Sequence, residues 1–371
     1  MTQSSEDAIL IACSTLEPSA EQRERLGKAC QNAAVDWHLV YAAAVQHKVA
    51  PLVYQNLKRF EPLIGSIPQN VVGDFNRISR QNSVRNLLAA DGLGRLAAYF
   101  RDHAHDLLLL KHTAHYFRHK ALYDLTMSVD MDLVIRPSAE AADIAGPPYL
   151  WSEYGVTDAT WKIVDEVVAW NDPRLRLLNL EIDNRLHHDV VWNGVIPMDF
   201  RGIWNDSDVY LINGQSVHVP RISDLIVMTA INIFRKPFLR LRNIVEIHEL
   251  IRLQSPFDWE TLSEKARSSR CASLVYSALV ATRAILASDF GDNDLKLLKP
   301  AAFRTRAIAL INRQIAPCDT CRPTSWIERV LGWRRGMTDL ARRLLAMDPA
   351  QIARFFWFRI FLRRIARVIK H

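Results

Sequence analysis

The stretch from residue 106 to 219 constrains this chain most, because it carries strand-length apolar runs inside a sequence otherwise periodic at the helical spacing. DLLLLK (106–111) is a short continuous apolar run of buried-strand length. VDMDLVI (129–135) alternates as a strand does and stops at Arg136-Pro137. WKIVDEVVAW (161–170) and RLRLLNLEID (174–183) are two further strand-like runs, joined by the turn residues Asn171-Asp172-Pro173. VYLINGQSVHV (209–219) has Asn213-Gly214 at its centre, the strongest short-range hairpin signal.

Helical spacing rules on either side. Ser4-Ser5-Glu6-Asp7 caps a first helix, and a second covers Ala20 to Ala34. WHLVYAAAVQHKVAPLVYQNLKR (37–59) reads as helix interrupted at Pro51, and 71–101 as one long amphipathic helix. HTAHYFRHKALYD (112–124) reads as a helix between the first two strands. After the hairpin, helices are expected over 221–234, 239–253, 258–269 with Asp258 as N-cap, and from Cys271 into the 280s. The expected layout is a helical N-terminal segment (1–100), an α/β core of mixed strands (101–220), a helical segment packed with that core (221–297) and a basic helical tail (298–371).

Hydrophobic residues at 49% and charged residues at 23% place the chain among folded globular proteins and exclude a disordered one. The net charge of +7 favours anionic partners, but no nucleic-acid motif accompanies it. Cys13, Cys30 and Cys271 read as ordinary buried thiols. Cys318 and Cys321 form a CxxC pair with no second pair to complete a zinc site. The N-terminus lacks a basic region before its apolar run, and no long uncharged apolar stretch occurs. A cytoplasmic protein is the expectation. The tail QIARFFWFRIFLRRIARVIKH (351–371) has a basic side and an apolar side, the pattern of a helix lying peripherally on an anionic membrane surface. It is equally suited to docking against protein.

The chemistry-bearing feature is Asp130-Met131-Asp132. Residues two apart on a strand share a face, so these carboxylates project side by side, about 7 Å apart. They repel unless a cation lies between them, and hard Mg²⁺ suits such oxygen donors. Leu180-Glu181-Ile182 offers a third acid in the same apolar setting; Asp183 is the lesser candidate. An acidic triplet on the solvent face of an edge strand is the plain alternative, but the apolar flanks point to an interior strand. Lys111 ends the first strand where a helix begins and is placed to reach a phosphate. His115 and His119 are four apart, a zinc-compatible spacing without the acid that usually accompanies it, and read better as packed or surface histidines. His187 and His188 read as loop residues. Arg235, Lys236, Arg240 and Arg242 form a basic group between two helices, suited to a triphosphate or simply to solvent.

Taken in order, AAAVQHKVAPLVYQNL (42–57), LLLLKH (107–112), SVDMDLVI (128–135), LNLEIDNRL (178–186), SVHVPRISDLIVMTAIN (216–232) and LRLRNIVEIHELIRL (239–253) resemble the blocks of an uncharacterised nucleotidyltransferase family within the DNA polymerase β-like superfamily. The resemblance spans residues 8–290. It implies a nucleotidyltransferase-like mixed-sheet core, with Asp130, Asp132 and Glu181 as catalytic metal ligands and Lys111 and His112 at the nucleotide. It further implies a nucleoside triphosphate such as ATP as donor, Mg²⁺ as cofactor and an acceptor still to be identified. Three positions depart from the family pattern: His112 stands where the family has glycine, Thr126 where it has arginine, and Asn232 where it has histidine. A side chain at 112 is expected to crowd a triphosphate, since glycine serves such turns by lacking Cβ. The alternative reading is therefore a catalytically degenerate binding or scaffold protein, membrane-associated through its tail.

Overall fold

In a computed structural model, the structure describes residues 4–30, 35–60, 65–102, 105–128, 130–137, 179–182, 196, 199–235, 240–302, 305, 306, 308, 352 and 353. The fold is α/β of the α+β kind, with a mixed sheet set among helices from both ends of the sequence.

Among the described residues, helices α1 (Ser5–Ala12), α2 (Ala20–Cys30), α3 (Trp37–Gln46) and α4 (Ala50–Arg59) lead in. Ser4 caps α1 by accepting the Asp7 N–H, as the sequence predicts. The interruption expected at Pro51 falls earlier. The chain turns at His47–Val49, with Lys48 in the left-handed region at φ 64°, and Pro51 lies in the first turn of α4, where its missing N–H costs nothing.

Helix α5 (Gln69–Asp102) is 34 residues long, about 50 Å of axis. Its buried stripe runs Val71, Phe75, Asn82, Asn86, Leu93, Leu96 and Phe100, so the apolar seam gives way to two asparagines at mid-length. Near its end Gly94 meets the hairpin turn. A Cβ there would meet the Asn213 side chain, which would have to shift to admit it.

Among the described residues the sheet has five strands: β1 (His105–Leu109), β2 (Asp130–Pro137), β3 (Asn179–Ile182), β4 (Asp208–Ile212) and β5 (Gln215–Val219), in the spatial order β3-β2-β1-β5-β4. β1 pairs antiparallel with β2 and parallel with β5. β2 and β3 are parallel, and β4 and β5 form the expected hairpin. Asn213 at φ 50° and Gly214 at φ 78° give that turn the two consecutive left-handed residues a two-residue hairpin needs. The predicted strand 161–170 lies outside the described residues, as do Asp183, His187, His188 and Cys318 and Cys321. Of the tail 351–371, only residues 352 and 353 are described, and both are helical.

Between β1 and β2 the predicted single helix is two, α6 (Lys111–Arg118) and α7 (Lys120–Leu125). His119 breaks them with extended backbone (φ −154°, ψ 78°). The break lets α7 turn back so that Tyr123 stacks on His112, ring centroids 5.0 Å apart. β1 also ends earlier than predicted, at Leu109, and Lys111 opens the helix.

A short helix α8 (Phe200–Asn205) precedes the hairpin, and α9 (Ile222–Arg235), α10 (Leu241–Leu253), α11 (Trp259–Ser268) and α12 (Ala272–Leu286) follow it. Asp258 caps α11 through the Thr261 N–H, as predicted. Helix α5 packs on β1 and β5, α6 on β2, and α9 on α10, α11 and α12. One continuous apolar core runs from Ile9 through the strand residues Leu107–Leu109 and Leu133 to Leu279 on α12.

Candidate functional site

The site begins with the alternation of β2. Leu133 and Ile135 are buried in the core, and Asp132, though an acid, is only 6% exposed. Its backbone is held on two sides by the turn leaving β1: the Leu110 N–H donates to the Asp132 carbonyl (3.0 Å), and the Asp132 N–H donates to Thr113 Oγ1 (3.1 Å). The Asp132 carboxylate is met by the Lys111 ammonium in an ion pair largely shielded from solvent. Lys111 stands at the start of α6 with a left-handed backbone (φ 49°). Lys111, expected to hold phosphate, is thus seated on an acid.

Asp130 is half-buried. It lines a narrow cleft with Arg85 and Asn86 of α5, His112 and Thr113 of α6, and Ser128. On the neighbouring strand, Glu181 is the register partner of Asp132, and Asn179 that of Asp130. Paired positions of parallel strands share a face, so residue 181 is level with Asp132 on the face of the two aspartates. Among the described residues, no group of three or more histidines, cysteines or acids is placed to hold a metal.

Behind this surface lies a sealed polar cluster that the sequence did not announce. Arg242 and Glu246, one turn apart on α10, pair at 3.3 Å. Nδ1 of His112 and Nε2 of His115 lie 3.6 Å and 3.9 Å from the same Glu246 oxygen. Burial alone would raise the Glu246 carboxyl, but Arg242 and the adjoining imidazoles hold it down at about 2. Burial pushes His112 below its usual range and His115 to about 3, so both rings are neutral near pH 7. The zinc-compatible pair is not assembled: His115 faces this cluster, and His119 sits at the helix break.

His112, expected to crowd a phosphate, is 3% exposed and turned inward against Tyr123. Its Nδ1 also lies 3.4 Å from Thr126 Oγ1. Two of the three departures from the family pattern therefore touch each other, and Thr126 completes its own bonding by donating to the Leu122 carbonyl (2.7 Å). Asn232, the third, is half-buried on α9.

Arg242, which the sequence placed in a basic anion-binding group, points inward and donates to the Met127 carbonyl at 2.7 Å. Of the rest of that group, Lys236 and the Arg235 side chain lie outside the described residues, and Arg240 is half-buried at the start of α10. His47 joins the two helical regions. Its Nδ1 accepts the Leu241 N–H (3.1 Å) and its carbonyl accepts the Arg242 N–H (3.2 Å), satisfying two donors that a helix N-terminus leaves open. The same turn continues into Lys48, whose carbonyl accepts the Met127 N–H (2.9 Å). From the far side, Asn82 Nδ2 donates to the carbonyls of Asp124 and Thr126 (2.9 and 3.3 Å), and Asn86 Nδ2 to that of Tyr123 (3.1 Å). The segment entering β2 is thus fixed from α5, from the α3–α4 turn and from α10. No local pattern flags residues such as Asn82, Asn86 and Glu246, because their partners are distant in sequence.

A mixed sheet carrying two acids on one strand, a third at the level of the second on the next, and helices closing around them defines the nucleotidyltransferase-like class. The chain belongs to the uncharacterised nucleotidyltransferase family, whose family model matches residues 33–287. Searches of curated proteins and of solved structures return no match. Among the described residues, no helix is long and apolar enough to cross a membrane.

Proposed function

We propose that this protein transfers a nucleotidyl group from a nucleoside triphosphate to an acceptor in a Mg²⁺-dependent reaction centred on Asp130, Asp132 and Glu181. The observation that carries this reading is the register of β2 and β3, which sets residue 181 level with Asp132 on the face shared with Asp130. The residues fit a hard divalent ion. The donors are carboxylate oxygens, and the shielded Asp132 already holds a cationic group in the Lys111 ammonium. Mg²⁺ on these acids would offset triphosphate charge and make an acceptor hydroxyl easier to deprotonate.

In the transfer, the acceptor hydroxyl oxygen bonds to the α-phosphorus, and the bond from that phosphorus to the α–β bridging oxygen breaks. Pyrophosphate leaves with the electron pair. Glu181 is the carboxylate assigned to take the hydroxyl proton, and Asp130 and Asp132 would hold the Mg²⁺ that offsets the charge of the α-phosphate. Lys111, released from Asp132, moves its charge to the departing phosphates. Most of the rate gain comes from positioning and charge complementarity, which phosphoryl-type transfer chiefly requires.

The alternative, a degenerate binding protein, rests on His112 and Thr126. The inward packing of His112 weakens it, because that side chain is spent on the core. The test is label transfer. Full-length protein is incubated with each α-labelled nucleoside triphosphate, Mg²⁺ and a cell extract fractionated into metabolites, RNA and protein. Transfer that needs Mg²⁺ and disappears in Asp132→Asn is expected. Absence of both transfer and nucleotide binding, with all four nucleotides, sinks the proposal. Nucleotide binding without transfer to any fraction favours the degenerate form.

A further inference from the structure

We infer that a second site, apart from the paired acids, binds a small phosphorylated molecule, whose phosphate is taken by Arg23, Arg59 and Arg252 around one cavity. This cavity shares no lining residue with the cleft of Asp130, so the inference stands apart from the proposed transfer reaction.

The cavity measures about 570 Å³, within the range of roughly 300–1,000 Å³ usual for small-molecule sites. Its walls come from the α1–α2 connection with Arg23 of α2, from the end of α4 and from the end of α10. Hydrogen bonds tie these three parts together at Leu16. The Leu16 N–H donates to Glu249 Oε1 on α10 (2.8 Å), and the Leu16 carbonyl accepts from Arg59 Nη1 on α4 (3.0 Å). Glu249 Oε2 lies 3.7 Å from Arg252 Nη1. Asn56, fully buried, lines the cavity and donates to the Cys13 and Thr15 carbonyls (3.0 and 2.7 Å). Arg23 stands on an anchored turn. The Ser19 N–H donates to Gln22 Oε1 (2.8 Å), and Gln22 Nε2 donates to the Leu286 carbonyl (3.2 Å).

The charges at the cavity are three guanidiniums and the Glu17 carboxylate, with Glu249 behind Arg252. Glu249 is buried and already accepts the Leu16 N–H, while the Arg252 side chain is 41% exposed. The other acids of α2, Glu21 and Glu24, are paired with Arg25 and Lys28. Among the described residues, no ion pair engages Arg23 or Arg59. An arginine in the last turn of a helix commonly serves carbonyls of its own helix. Arg59 instead reaches a carbonyl of another segment, which holds its guanidinium at the cavity wall. Planar forks arriving from three elements match the several oxygens of a phosphate. Phe60 offers the remainder of the ligand an apolar wall, and Glu17 can accept from a ligand hydroxyl.

The probe is phenyl phosphate, titrated calorimetrically into the full chain with EDTA present, with phenol as the uncharged control. Wild-type protein is expected to bind phenyl phosphate and not phenol. Arg23→Gln and Arg252→Gln should each weaken binding about tenfold, the weight of one charge-assisted contact. Arg252→Lys, which keeps the charge and loses the fork, should recover part of that loss, as a misfolded variant would not. Arg25→Gln removes the same charge from the same helix outside the cavity and should change nothing. Asp132→Asn should bind phenyl phosphate as wild type does while losing label transfer, so the two sites fail separately. The site is overturned by absence of binding in wild-type protein, or by unchanged affinity in both Arg23→Gln and Arg252→Gln. A loss in Arg25→Gln or Asp132→Asn as large as in Arg23→Gln overturns it equally.

Discussion

Two charged clusters stand back to back across the turn between β1 and α6, and they use similar groups for opposite ends. In front, Asp130 is half-open to solvent and Asp132 is balanced by a lysine on a flexible stem. Behind, Glu246 is balanced by Arg242 and surrounded by two neutral histidines, all of them at least nine-tenths buried. An ammonium on a four-carbon stem can be exchanged for another cation; a guanidinium bonded to both a carboxylate and the Met127 carbonyl cannot leave without exposing two orphans. The difference teaches that the further bonds of the cation, and not the burial of the acid, separate the two pairs. In the proposed reaction the front cluster changes partners, while the rear one holds the backbone behind it.

The hardest blow to this contrast is Asp132→Asn. It should lower label transfer on the order of a thousandfold while leaving the unfolding midpoint close to wild type, measured by transfer assay and thermal melt side by side. Next in size is Glu246→Ala, which strands Arg242 and should cost about 3–5 kcal/mol in chemical denaturation. The double replacement Arg242→Met with Glu246→Leu should recover most of that stability. If it does, the rear pair serves geometry, and any activity the double variant lacks measures what that geometry is worth.

Acid should separate the clusters further. His115 is held at about 3 in the folded protein against 6.5 unfolded, so below 6.5 the unfolded chain takes up the proton first. Stability from this ring is complete above 6.5 and drains away as pH falls towards 3, by roughly 2 kcal/mol between pH 6.5 and about 5. His248, held at about 4 by burial, adds a loss of the same sign. Denaturation midpoints across this range should therefore flatten, but not level, in His115→Leu. Smallest is Asp258→Ala at the α11 cap, remote from both clusters, expected to cost about 1 kcal/mol and no activity. A larger effect there would mean the helical layer is coupled to the site.

Much of this was readable in one dimension. The paired acids, the Asn213-Gly214 hairpin and the Ser4 and Asp258 caps are local patterns, and each involves residues within a few positions of one another. By sequence Arg242 groups with Arg235, Lys236 and Arg240 as a basic cluster suited to a triphosphate or to solvent, because spacing along the chain shows neighbouring charges and not the direction in which each points. Only the packing of α6 and the α3–α4 turn against α10 shows that Arg242 and Glu246 face inward. The asparagines of α5 were opaque for the same reason, since their partners are carbonyls about forty residues on. His112 looked like an obstruction because its effect was judged from the turn alone, without Tyr123 and Thr126 to receive the ring.

Lys48 and Lys111 share an oddity: each keeps a long side chain on a backbone that glycine would occupy with less resistance. Putting glycine at either place should let the protein tolerate more heat, by around 1 kcal/mol, less whatever contact energy the lysine supplied. A chain selected for endurance alone would have made those exchanges. At Lys111 the exchange would also remove the ammonium that sits on Asp132, so durability there is set against reach.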